Sequence, residues 1–203
     1  MTNPKTICCR SAACCAMVMP KRNTGFSLIE VLVTIVILMI GLLGLAGLQV
    51  RALTSQMESY QRSQALVLLK DMADRIEANR ANAPAYVTSG LTPAYVGTGL
   101  SSCAASGVGS AGDLCEWHDA LLGAAEVDSS GNKVGAMIGA RGCIYEIAAA
   151  IPASGVPGQY LVAVAWQGLN NTAAPAVDCG EDEYGNELLR RAVTLPVSIA
   201  TLE

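Results

Sequence analysis

From Val31 to Leu48 the chain reads VLVTIVILMIGLLGLAGL, eighteen residues in which Thr34 is the only polar side chain. A helix of about 20 apolar residues crosses a bilayer core, so this run restricts the chain to folds with a strongly apolar helix near the N-terminus. Secretory signals carry an apolar stretch of roughly 7–15 residues before a small-residue cut. This stretch is longer, is bracketed by Glu30 and Gln49, and reads on as helix through Val50 and Arg51. Lys5, Arg10, Lys21 and Arg22 precede Gly25 and no Asp or Glu does. That asymmetry favours a cytoplasmic N-terminus and export of the rest.

The 203 residues suffice for one globular unit with an attached segment. The formal charge of −4 conceals an acidic body beyond the basic prefix, and phosphate recognition needs clustered Lys and Arg. Nucleic acid is therefore not an expected partner. Of eight cysteines, Cys8, Cys9, Cys14 and Cys15 precede Gly25, while Cys103, Cys115, Cys143 and Cys179 fall in the exported part. Four cysteines in an oxidising compartment allow two disulfides in three pairings, and their spacing fits no C-x-x-C metal pattern. The expected pairing is Cys103 with Cys115 and Cys143 with Cys179. A start at Met17 or Met19 would remove the first four cysteines. A lipoprotein reading of Cys14 or Cys15 is disfavoured because no apolar segment precedes them.

No proline interrupts the chain from Phe26 to Arg80. Ala65, Leu69, Met72 and Ile76 share one helical face, with Lys70, Asp71, Asp74 and Glu77 elsewhere. The pattern predicts one long helix, membrane-spanning over 26–50 and amphipathic over 51–83, about 80 Å long at 1.5 Å per residue and ended by Asn82 and Pro84. Residues 84–142 are rich in Gly, Ala, Ser and Thr and read as loop, with a short helix at Glu116 to Leu122. Over 143–203, three alternating runs predict an antiparallel sheet packed on the helix: Cys143 to Ile151, Tyr160 to Trp166 and Ala192 to Thr201. Pro196 assigns the last strand to an edge or a bulge. The expected fold class is α+β.

The most specific stretch is Lys21-Arg22-Asn23-Thr24-Gly25-Phe26-Ser27-Leu28-Ile29-Glu30, opening directly into the apolar run. It resembles the N-terminus of type IV prepilins and of the pseudopilins of type II secretion. The resemblance implies a pilin-like fold and removal of residues 1–25 as leader. It also implies a cut between Gly25 and Phe26 by prepilin peptidase, and N-methylation of Phe26. The segments at 70–86 and 164–168 and the pair Arg190-Arg191 resemble the minor pilins of the type IV pilus modification kind. That likeness implies other minor pilins and the major pilin as partners. It further implies a single pass of the bacterial inner membrane with a periplasmic head, then a place in the fibre or at its tip.

Physical chemistry supports the same residues. A carboxylate at the head of a membrane helix is costly, about 2.5–3.5 kcal/mol for an acid at the helix centre, so Glu30 needs a partner. It gains from the positive end of its own helix. Cleavage would also create a free α-amine at Phe26, and in a stack of such helices one subunit's Glu30 can pair with a neighbour's amine. The alternative is an ordinary anchor with a tolerated interfacial charge. Gly41, Gly44 and Gly47 suit close helix packing as well as they suit simple membrane composition.

Other candidates are weaker. His118 is the only histidine, and a surface or helix-end role is favoured over catalysis or metal binding. Asp178, Glu181, Asp182, Glu183 and Glu187 lack EF-hand spacing and read as a solvated acidic turn rather than a calcium site. Trp117 and Trp166 read as core. No H-E-x-x-H, G-x-S-x-G or phosphate-loop motif is present, so no catalytic residue, metal or cofactor is expected. An anchored binding module or enzyme is the reading from another class.

Overall fold

The computed structural model describes residues 25–100, 107–123, 129–130, 135 and 137–200. The chain divides into two units, Met1–Gly47 and Leu48–Glu203. In the first, Gly25 to Ser27 are non-helical and helix α1, Leu28–Ala78, begins. Its apolar residues up to Gly47 are exposed throughout, and the helix is long and apolar enough to cross a membrane.

In the second unit α1 continues and turns amphipathic. Gln61, Ala65, Leu69, Met72, Ala73 and Ile76 are its buried residues, and they recur at three- and four-residue intervals. They pack on a four-stranded antiparallel meander of β1 Val96–Gly97, β2 Ile138–Ala148, β3 Gly158–Gln167 and β4 Arg190–Ile199, ordered β1-β2-β3-β4. Tyr160, Val162, Val164 and Trp166 alternate along β3 and all enter the core with the helix. Val197 and Ile199 of β4 join them. Cys143, Ala163 and Ala165 face the other way, into a smaller cluster with Cys179. β4 lies at one edge, and Pro196 sits there opposite Leu161.

Helix α1 ends at Ala78, and Asn79 leads into a 3-10 segment, Arg80–Tyr86, that contains Pro84. The expected loop over 84–142 is corrected. Helix α2 spans Ser110–Leu121, starting earlier than Glu116, and buries Cys115, Trp117, His118 and Leu121. Its first turn comes from a Gly/Ser-rich run with no apolar periodicity, so its apolar packing comes from Cys115 onward, while Asp113 of the first turn is held by Arg75 and Tyr86. β2 also starts before Cys143, at Ile138. Its pairing with β3 is irregular between Ile138 and Arg141. Gly142 is required here, because a Cβ at that position would lie 2.4 Å from the Trp117 ring. Beyond β1, Thr88 serves the edge of β2. Its N–H donates to the Ile144 carbonyl and its Oγ1 accepts the Ile144 N–H, each at 3.0 Å.

Candidate processing and assembly site

The residues singled out at the N-terminus occupy the start of α1. Gly25 and Phe26 precede the helix, Phe26 is 85% exposed, and nothing stands within 4 Å of where a Gly25 side chain would be. The Ser27 carbonyl accepts from the amides of Glu30 (3.0 Å) and Val31 (3.3 Å), closing the first turn. Glu30 therefore sits in that turn, where the unsatisfied amides favour a carboxylate. Among the described residues its side chain has no ion-pair partner within the chain. The arrangement is an exposed peptide followed by an acid at the head of an apolar helix. Residues 1–24, including Cys8, Cys9, Cys14 and Cys15, lie outside the described residues.

In the second unit, Cys143 is bonded to Cys179. The Cys103–Cys115 pairing lies outside the described residues because Cys103 does, although Cys115 is itself disulfide-bonded. His118 corrects the surface expectation: it is 3% exposed, and its Nδ1 accepts the Gly97 amide at 2.9 Å. That hydrogen bond requires Nδ1 to be unprotonated. Trp117 and Trp166 are both core residues, and Trp117 Nε1 donates to the Leu68 carbonyl of α1 at 2.9 Å.

The acidic loop separates into individual contacts. Glu183 accepts from Arg141 and from the Tyr95 hydroxyl, each at 3.0 Å, while Glu187 pairs with Arg190 at 2.5 Å. Partial burial pushes the Glu187 carboxyl up, but Arg190 and the Asp182 amide more than offset this and hold it below the usual carboxylate range. Among the described residues no three His, Cys, Asp or Glu side chains converge to hold a metal ion.

Two anchoring residues escaped the sequence reading. Glu58 of α1 accepts from the Leu169 and Asn170 amides and from Arg191, tying the helix to the end of β3. Arg141 lies between two aromatic rings, 5.1 Å from the Tyr95 centroid and 4.8 Å from that of Tyr184. Neither carries a local signal: Glu58 meets Leu169, 111 residues on, and Arg141 meets Glu183, 42 residues on.

Two family models match the chain. Residues 20–46 match the prokaryotic N-terminal methylation motif, and residues 47–120 match the Tt1218-like model, described as type IV pilin Tt1218. No curated protein and no solved structure matches. The two matched segments abut, and the first contains Gly25, Phe26 and Glu30. The motif implies processing by prepilin peptidase and assembly with other pilins, and the apolar helix fits membrane anchoring. A segment that matches the N-terminal methylation motif thus runs directly into one that matches the type IV pilin model, on a fold of one long helix packed against a small antiparallel sheet.

Proposed function

We propose that the chain is a minor pilin, a structural subunit that primes assembly of a type IV pilus, of the kind called type IV pilus modification protein. Prepilin peptidase cuts between Gly25 and Phe26, Phe26 is N-methylated, and the head lies in the periplasm. Glu30 then pairs with the N-terminal amine of a neighbouring subunit as the helix leaves the membrane. The observation that carries this reading is the sequence Gly25-Phe26-Ser27-Leu28-Ile29-Glu30 at the head of an apolar helix, within the matched methylation motif. An unpaired carboxylate is penalised in an apolar bundle, so the pairing sets the register of insertion. Before the cut no such amine exists, and processing gates assembly.

Mass spectrometry of the mature protein tests the first step, with N-methyl-phenylalanine expected at the N-terminus. Retention of the basic prefix on the functioning protein would overturn the proposal. Glu30→Ala should still be cut yet fail to enter fibres. Minor pseudopilins of type II secretion share the processed helix. The likeness at 70–86, 164–168 and Arg190-Arg191 favours the pilus.

A further inference from the structure

We propose that the sheet face turned away from α1 carries a docking groove for a lysine- or arginine-bearing segment of a partner polypeptide. The groove encloses about 660 Å³. Tyr145, Leu161 and Thr194 line it from the strands, and Pro175, Val177 and Asp178 from the loop beside them. Tyr145 and Leu161 are directly paired across β2 and β3. Tyr145 and Val177 pack against the small buried cluster of Cys143, Ala163, Ala165 and Cys179.

The loop wall is fixed in place. Cys179 is bonded to Cys143 of β2. The buried Arg190 guanidinium donates to the carbonyls of Pro175 at 3.4 Å, of Cys179 at 3.3 Å and of Val177. A groove held by a disulfide and three hydrogen bonds from one side chain requires little ordering when a partner enters.

Its charge selects the occupant. Glu183 and Glu187 are neutralised by Arg141 and Arg190, but Asp178 and Glu181 have no cationic partner among the described residues. The Glu181 charge, like that of Asp178, acts on the Tyr145 hydroxyl, whereas Glu146 is paired with Tyr160 and belongs to the opposite face. Tyr145 senses this field: burial first, then the Asp178 charge, pushes its hydroxyl up to about 12. An apolar, aromatic floor beneath unpaired carboxylates accommodates an aliphatic stem with a cationic head. It repels phosphate and acidic chains. The proposal stands on the groove alone and does not depend on the assembly reading.

The test uses the full chain in detergent micelles and a fluorescent Ala-Lys-Ala-Lys-Ala peptide capped at both ends. The same peptide with both lysines acetylated serves as the charge-free control. Saturable binding is expected for the lysine peptide only, with NMR shifts concentrated at Tyr145 and Val177. Asp178→Asn with Glu181→Gln should weaken it roughly tenfold, about 1.4 kcal/mol. Asp74→Asn removes an exposed acid of α1 and should change nothing. Equal loss in the Asp74 variant, shifts spread over the whole acidic surface, or equal binding of the acetylated peptide would each overturn the proposal.

Discussion

Arg75, in the last turn of α1, donates from Nη1 to Oε2 of Glu116 in α2 across 2.6 Å, between residues 41 positions apart. The same nitrogen reaches Oδ1 of Asp113 at 3.1 Å, and Nε reaches Asp71 at 3.0 Å. The Tyr86 hydroxyl donates to Asp113 and accepts from Asn79 at 3.1 Å. One guanidinium thus joins α1 to α2, and Asp113 joins both to the 3-10 segment.

Exposure decides which contact matters. Glu116 is 69% exposed and Asp113 26%, so water screens the shorter contact more. Arg75→Ala should lower stability by about 1–2 kcal/mol, whereas Glu116→Ala should cost about 0–1 kcal/mol. Urea melts of the two variants check this, and equal losses would count against Asp113 as the principal partner.

The Cys143–Cys179 bond closes a loop of sequence separation 36 and fixes the edge of the acidic turn to β2. Chain entropy assigns such a closure about 4 kcal/mol. Replacing both cysteines with Ala should cost that order in thermal or urea unfolding. Amides near Val177 and Cys179 should lose exchange protection before those of β3. Uniform loss over the sheet would show that the bond stabilises the whole head rather than its loop.

Much of this architecture is readable in the chain because the signals are local. The apolar run, the three- and four-residue spacing from Ala65 to Ile76 and the alternation from Tyr160 to Trp166 each specify their element. Gly25, Phe26 and Glu30 stand close together in sequence. What stayed hidden depends on distant partners. Helix α2 is held by Trp117 against Gly142 and the Leu68 carbonyl and by Asp113 against Arg75 and Tyr86, not by any apolar pattern in its Gly/Ser-rich first turn. His118 reads as a surface or helix-end residue; it does stand in the last turn of α2, but buried, where β1 brings the Gly97 amide to its ring. The acidic turn reads as uniform, yet Arg141 and Arg190 divide it into paired and unpaired carboxylates.

Gly142 offers a test of the packing under α2. A Cβ there would lie 2.4 Å from Trp117 Cη2 and 2.8 Å from Leu121 Cδ1. Both belong to side chains buried in the core, with little room to yield. Gly142→Ala should destabilise the head by about 1–3 kcal/mol and shift the Trp117 indole resonance. An unchanged resonance with unchanged stability would mean that α2 slides freely over β2.

Glu187 sets an acid limit on the same loop. Its carboxyl is held below its ordinary value of 4.5, chiefly because the charged form is bonded to Arg190 and to the Asp182 amide, against an opposing effect of burial. A depressed acid contributes stability that is complete above the unfolded value and lost as pH falls through the folded one. Acidification below about 4.5 should therefore release Arg190 from Glu187, while its bonds to the Val177 and Cys179 carbonyls persist. Glu187→Gln should remove this step, giving a flatter dependence of melting temperature on pH in that window and lower stability at pH 7. If the wild type and the variant lose stability in parallel on acidification, other carboxylates govern the acid response and Glu187 is only a surface contact.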